Sequence, residues 1–165
     1  MRSRTKKQLM DEERTAELLM RAKIGHLATL NENGAPYVVP VQFAVMEGKL
    51  YFHSAMEGQK LQNILRDGRV CFEICEEMGL LYDPDSEYAC AVNTKYESAV
   101  IFGTGQLIER QEEKERALRC IVGKYAPELA GKPFRPQSFA NTAVVAVEIG
   151  ACTGKAFRGR EEAEG

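Results

Sequence analysis

Hydrophobic and polar positions along this chain repeat with two periods, and the switches between them predict about six strands, two long helices and one short one. Asp11 to Lys23 sets Leu18, Leu19 and the aliphatic stem of Met20 among acids and bases, with acidic residues early, which predicts an amphipathic helix. Ile24 to Leu30 reads as a strand and Asn31-Glu-Asn-Gly34 as a tight hairpin turn. Pro36 to Met46 is nearly continuous in apolar residues and predicts one strand covered on both faces, with Pro40 marking a bulge or an edge. Glu76 to Thr94 is irregular, with turn chemistry at Asp83-Pro-Asp-Ser86. Tyr96 to Ile108 predicts a long strand with Tyr96, Ser98, Val100 and Phe102 on one face, and with Gly103 and Gly105 at a bend or a close backbone approach. Gln111 to Tyr125 predicts the second long helix, with Leu118, Ile121, Val122 and Tyr125 facing the core, broken by Pro127 and Gly131. A loop carrying Pro133 and Pro136 leads to a buried strand over Thr142 to Ile149. Hairpin turns between neighbouring strands predict a largely meandering antiparallel sheet, whose edges closure into a barrel would resolve.

The stretch from Lys49 to Ile74 holds the feature with most chemical content. Lys49 to His53 alternates, Leu50 and Phe52 against Tyr51 and His53; Gly58 to Arg66 is helical, with Leu61, Ile64 and Leu65 on one face; Val70 to Ile74 resumes the alternation. Lys60 falls in the first turn of that helix, where free N–H groups and the macrodipole favour negative charge. Two readings stand here. Ser54-Ala-Met-Glu57 fits a capping box, with Lys60 a solvated lysine. Alternatively the helix start binds a phosphate, with Lys60 as its cation.

Composition narrows this picture without deciding it. The 165 residues suffice for one domain spanning the chain, with about 1–9 and 159–165 flexible. A net charge of −2 gives no basic field for nucleic acid, and the local run Arg2 to Lys7 lacks interleaved aromatics and reads as a solvated arm. No apolar run reaches the ~20 residues of a membrane span and no signal-peptide core follows the basic start, so a cytoplasmic protein is expected. Five scattered cysteines without a CxxC pair read as reduced, mostly buried thiols. Cys71 and Cys75, on one strand face, are about 13 Å apart at ~3.3 Å per residue and cannot share a zinc ion; with only His26 and His53 besides, no metal site is expected. His26, inside a strand, reads as a hydrogen-bonded structural histidine, whereas His53 stands at a strand end just before the candidate anion site. The GxG at Gly103 to Gly105 opens no helix, which removes the dinucleotide fingerprint. Taken alone, the residues give a small antiparallel β-barrel with a candidate phosphorylated ligand.

The ordered set Gly25-His-Leu-Ala-Thr, Gly34-Ala-Pro-Tyr-Val-Val-Pro-Val, Leu50-Tyr-Phe-His-Ser-Ala, Gly58-Gln-Lys60, Arg69-Val-Cys-Phe and Lys95-Tyr-Glu-Ser-Ala-Val-Ile-Phe-Gly103 resembles the pyridoxamine 5′-phosphate oxidase-like flavoproteins, closest to their 5-nitroimidazole-resistance (Nim-like) branch. The resemblance spans about residues 10 to 156. It implies a mainly β fold with flanking helices, an antiparallel split β-barrel, assembled as a homodimer with FMN at the subunit interface. It further implies that Gly58, Gln59 and Lys60 hold the FMN phosphate and that Phe52, His53 and Ser54 lie beside the flavin. Val39, Pro40 and Val41 would line the isoalloxazine ring, and Tyr96 and Ser98 would reach the partner subunit's flavin. His53 is the position where Nim-like proteins carry a histidine close to the ring, and it is the catalytic candidate. Two features depart from the pattern. The arginine-rich substrate loop and C-terminal arginine of true pyridoxamine phosphate oxidases have no clear counterpart, although Arg158 and Arg160 lie in the tail; and the branch's Tyr-Arg-Ser-Val reads Tyr96-Glu-Ser-Ala99. The expected function is an FMN-dependent oxidoreductase that takes electrons from a reduced nicotinamide or another donor and reduces a small organic acceptor, including nitroimidazole-type nitro compounds. The alternatives are a non-catalytic FMN- or haem-binding protein, in which His53 would be the haem ligand, and an interaction domain without cofactor.

Overall fold

A computed structural model describes residues 8–159. The basic run Arg2 to Lys7, Arg160 and most of the expected flexible ends lie outside those residues. Gln8 and Leu9 lie within them: the Gln8 carbonyl accepts from Ala156 N at 2.8 Å, and Leu9 bridges Lys155.

The chain runs α1 (Glu12–Arg21), β1 (Gly25–Leu30), β2 (Pro36–Val41), β3 (Phe43–Met46), β4 (Lys49–Ala55), α2 (Gln59–Arg66), β5 (Arg69–Tyr82), β6 (Val92–Leu107), α3 (Gln111–Tyr125), α4 (Pro136–Ala140) and β7 (Thr142–Phe157). The seven strands form one sheet in the order β2-β1-β5-β6-β7-β4-β3. The chain therefore meanders only in part: β4 lies between β3 and β7, and β1 lies between β2 and β5. The strands at the two ends of this order, β2 and β3, are consecutive in sequence with only Gln42 between them. One residue thus links the two edge strands of this order, β2 pairing only with β1 and β3 only with β4.

The long strands run through two compact units, one made of Met1–Ala22, Ile74–Val100 and Thr153–Gly165, the other of Lys23–Glu73 and Ile101–Cys152. The second unit holds β1 to β4, α2, α3 and α4. Inside its sheet Leu27, Phe43, Leu50, Phe52, Phe72, Ile101, Val145 and Val147 are fully buried, with the Phe43 and Phe72 rings edge-on at 5.0 Å. A further apolar layer forms under α3, where Ala117, Leu118 and Ile121 meet Ala44, Tyr51, Val144 and Ala146. Each fully buried large apolar side chain contributes about 1.5–3 kcal/mol relative to exposure, so these two layers dominate the unit's stability. In the first unit, Asp11 caps α1 by accepting from Arg14 N at 2.8 Å, and Leu18 and Leu19 are buried while Met20 is 61 % exposed.

Several expectations from the sequence change. Pro36 to Met46 is two strands, and β2 is not covered on both faces: Val38 is 57 % exposed and Pro40 is exposed too, because β2 pairs on one side only, with β1. Pro40 lies opposite His26 in that strand, where a residue without an N–H is tolerated at an edge. Glu76 to Tyr82 continues β5, and β6 already begins at Val92, since ladder pairing overrides weak local patterning. The Pro133–Pro136 loop contains α4, with Pro136 in its first turn. On α2, Leu61 and Ile64 are buried but Leu65 is 63 % exposed, and Asn63 is buried instead. The cysteines form no disulfide and are not mostly buried: Cys75, Cys90 and Cys152 are exposed, and Cys71 and Cys120 are half-buried. Gly103 is a close approach, since a Cβ there would sit 2.2 Å from the Glu148 carbonyl oxygen. No described helix is long and apolar enough to cross a membrane.

Candidate functional site

The site is built by the passage from β4 into α2. β4 is central, paired with β3 through Phe52 opposite Phe43 and with β7 through His53 opposite Val144 and Ser54 opposite Ala143. Leu50, Tyr51 and Phe52 are all buried, and the next residue, His53, is exposed. Ser54 is buried, and its hydroxyl has no hydrogen-bond partner among the described residues. A buried hydroxyl left without a partner costs about 1–3 kcal/mol, so its retention here calls for a reason.

The chain then turns at Gly58, whose φ of +134° and ψ of 159° suit glycine. Gly58 is the N-cap of α2, and no side chain caps the helix. The capping-box reading therefore fails, because Ser54 lies inside β4, four residues too early. Gly58 O accepts from Leu61 N and Gln62 N, both at 3.1 Å, so the Gln59 and Lys60 N–H groups lie ahead of the helical ladder. The first turn contains no acidic residue. Lys60 is half-buried and forms no ion pair among the described residues. The helix is fixed from behind. Asn63 donates to Thr29 Oγ1 at 2.9 Å and Asn31 Oδ1 at 3.0 Å, and accepts from Gln59 Nε2 at 2.8 Å. Sequence reading missed Asn63; its position four residues after Gln59 was the available signal.

His53 is linked to this helix electrostatically. Its imidazole pKa is lowered from the ordinary value, first because neighbouring atoms strip part of the water from the otherwise exposed ring and second by the Lys60 ammonium. His53 also lines a shallow cavity of about 150 Å³ with Leu118, Ile121 and Val122 of α3. Phe134 and Phe139 close it, their rings 5.9 Å apart, and Ser138 and Thr142 complete the lining. His26, by contrast, pairs with Glu73 at 3.0 Å across β1 and β5, as a structural histidine would.

The other sequence candidates fall elsewhere. Val39, Pro40 and Val41 end β2 in the same unit, facing Leu27, His26 and Gly25 in register. Tyr96 and Ser98 are half-buried on β6 in the first unit. Between them Glu97 is fully buried, and its carboxylate accepts from Arg14 at 2.9 and 3.0 Å and from Arg21 and Arg158. Burial raises this carboxyl, but the guanidinium hydrogen bonds of Arg158, Arg21 and Arg14 outweigh it and hold its pKa at about 2. No group of three His, Cys, Asp or Glu residues arranged to hold a metal occurs among the described residues.

The family model for pyridoxamine 5′-phosphate oxidase matches residues 11–156. The chain belongs to that family. Among solved structures, a candidate 5-nitroimidazole antibiotic resistance protein from Bacteroides thetaiotaomicron is 29 % identical with a TM-score of 0.77, covering 90 % of this chain and 86 % of that one. The flavocytochrome Anf3 from Azotobacter vinelandii is 21 % identical with a TM-score of 0.81, covering 99 % and 77 %. A FAD- and heme-binding protein from Mycobacterium smegmatis is 20 % identical with a TM-score of 0.82, covering 95 % and 78 %. No protein of curated function matches the chain. The fold is the antiparallel split β-barrel with flanking helices, and within this pyridoxamine 5′-phosphate oxidase family member the β4–α2 passage carries Phe52, His53, Ser54, Gln59 and Lys60, half of the sequence candidates.

Proposed function

We propose that this protein binds FMN, works as a homodimer with the flavin at the subunit interface, and serves as an FMN-dependent oxidoreductase for a small organic acceptor, nitro compounds included. The observation that carries this reading is the start of α2: an uncapped helix N-terminus without acidic residues and, among the described residues, a lysine without an ion partner and, at the end of β4, a buried hydroxyl without a hydrogen-bond partner. Those donors and that positive potential suit a phosphate monoester. Lys60 and the Gln59 and Lys60 N–H groups would hold the phosphate, and Ser54 Oγ is available to donate to the same ligand. The family assignment and the flavin named for two neighbours of this fold support flavin over other phosphorylated ligands. Bound FMN would supply transfer of hydride or electrons between a donor and the acceptor. His53, neutral at pH 7, would orient the acceptor or supply a proton through its ring N–H.

Lys60→Ala tests the reading. Removing a charge-assisted hydrogen bond of about 1.5–3 kcal/mol should weaken FMN about ten- to hundredfold in a fluorescence titration, with the thermal midpoint of the flavin-free protein within a few degrees of wild type. Unchanged flavin affinity would remove the phosphate from this helix. A flavin that binds but that no nicotinamide reduces anaerobically, with nitro compounds left intact under chemical reduction, would reduce the function to flavin binding.

A further inference from the structure

The inward face of α3 begins with a lysine. Lys114 heads a buried row that continues through Ala117, Leu118 and Ile121, and it is itself only 7 % exposed. Its ammonium ends over the Phe139 ring, 4.7 Å from the centroid. It forms no ion pair and no side-chain hydrogen bond among the described residues. The carboxylates nearest in sequence are engaged elsewhere. Glu112 faces Arg110 at 3.6 Å, Glu113 accepts from the Tyr51 hydroxyl at 3.4 Å, and Glu115 accepts from Arg119 at 2.7 Å. An ammonium drawn this far from water without a counter-ion is destabilising, so its retention points to an anion from outside the chain.

Phe139, Leu118 and Ile121 also wall the cavity of about 150 Å³ beside His53, and none of its lining residues is acidic. The other cations near it have partners or roles. Arg119 is held by Glu115 and by the Ala130 and Lys132 carbonyls at 2.9 and 3.3 Å, and Lys60 belongs to the proposed flavin-phosphate site. Lys114 is thus the cation left uncompensated at this groove among the described residues. One ammonium balances one negative charge, so a monoanion fits, whereas a dianion would bring in a second charge without a partner. The apolar walls suit a carbon body, which the volume limits to about the size of benzene.

We propose that Lys114 makes this groove a binding site for a small monocarboxylate with an apolar body, the carboxylate toward the ammonium and the body against Leu118, Ile121 and Phe139. The site stands without the flavin, and a flavin phosphate on Lys60 leaves Lys114 available.

The test is a titration of the full chain, flavin-free and FMN-loaded, with benzoate, its neutral counterpart benzyl alcohol, and inorganic phosphate, followed by NMR of the Leu118 and Ile121 methyl groups. Benzoate should shift these signals saturably in both forms, with benzyl alcohol and phosphate each at least about tenfold weaker. Lys114→Met keeps the length of the side chain and removes its charge. It should weaken benzoate at least about tenfold, leave FMN affinity within about twofold, and melt at or above the wild-type midpoint. If that variant melts early instead, Ser138→Phe, at an exposed position of α4, fills the groove with Lys114 in place and should weaken benzoate by the same factor. The proposal is overturned if benzoate gives no saturable shift, if benzyl alcohol or phosphate binds as tightly, or if neither variant weakens benzoate. Loss of the benzoate shifts on FMN loading would place the carboxylate on Lys60 and overturn it too. So would signals that move with protein concentration alone, which would put a second copy of the chain on the groove. Failure of wild type to bind FMN, with benzoate still saturating, would remove the flavin reading and leave the carboxylate site standing.

Discussion

At the residue scale, His53 and Lys60 are an electrostatic pair whose coupling can be read directly. Both burial and the Lys60 ammonium disfavour the imidazolium. Replacing Lys60 by alanine should therefore raise the His53 pKa toward the ordinary value while leaving it below, because the burial contribution remains; an NMR pH titration of the ring measures this. The sign for stability follows from linkage. The unfolded chain binds the proton more readily, so this contribution is intact above about pH 6.5 and is lost as pH falls through the lower folded value. A His53 pKa that Lys60→Ala leaves unmoved would mean that the two side chains do not face each other in solution. Ser54 shows the limits of local reading. Its spacing to Glu57 satisfies the capping-box pattern, yet β4 continues through Ala55 and places the hydroxyl in the interior. A strand with partners on both sides overrides a local cap worth about 1 kcal/mol.

At the element scale, the buried face of α2 follows the apolar period at two positions and departs from it at a third. Leu61 and Ile64 face inward as their spacing requires, but the third inward position is Asn63, and Leu65 turns to solvent. Asn63 is buried only because Thr29 and Asn31 on and after β1 supply its partners, and those lie over thirty residues away in sequence. Asn63→Leu should cost about 2 kcal/mol, mostly from the Thr29 hydroxyl left buried without its donor, as a shift of the urea midpoint. Because Asn63 holds Gln59 through its side-chain oxygen, the same variant should also weaken FMN several-fold. A destabilised protein with wild-type flavin affinity would show that the helix start keeps its position without this rivet. Strand starts were legible where alternation was clean, as at Lys49 in β4, but strand ends were not: β4 runs on to Ala55, and β5 continues beyond Cys75, where exposed residues occur on both faces of a strand defined by pairing.

For the whole molecule, two features carry predictions. The unit containing α1 is assembled from three separate chain segments, and Glu97 receives guanidinium groups from the two others: Arg14 and Arg21 of α1, and Arg158 beyond β7. Glu97→Ala should destabilise by about 2 kcal/mol, below the ~3–5 kcal/mol of a fully buried pair, because each arginine side chain keeps roughly a third or more of its surface in water. The contribution is present above the ordinary carboxyl range and is lost as pH falls from there to about 2, so wild type and variant should converge in acid denaturation only below that window. The second feature is assembly. Sedimentation of the FMN-loaded protein should give a dimer, and a monomer that retains FMN with equal affinity would detach the flavin from any subunit interface.

The sequence by itself determined the elements whose signals are local. These were the α1 and α3 helices, the Asn31–Gly34 turn, a ladder interruption at Pro40, the helix that begins at Gly58, and the placing of Lys60 in that helix's first turn. The ordered motifs then identified the family that the match over residues 11–156 shows. Only the tertiary structure decided the rest. It split Pro36–Met46 at Gln42, because the first half pairs with β1 and the second with β4, at opposite ends of the sheet order. It removed the cap from Ser54 and buried Asn63 and Glu97 against partners dozens of residues away. It also brought Phe134 and Phe139 from a proline-marked loop to the side of His53. Polar burial and cavity walls depend on partners distant in sequence, which no period of two or 3.6 can encode.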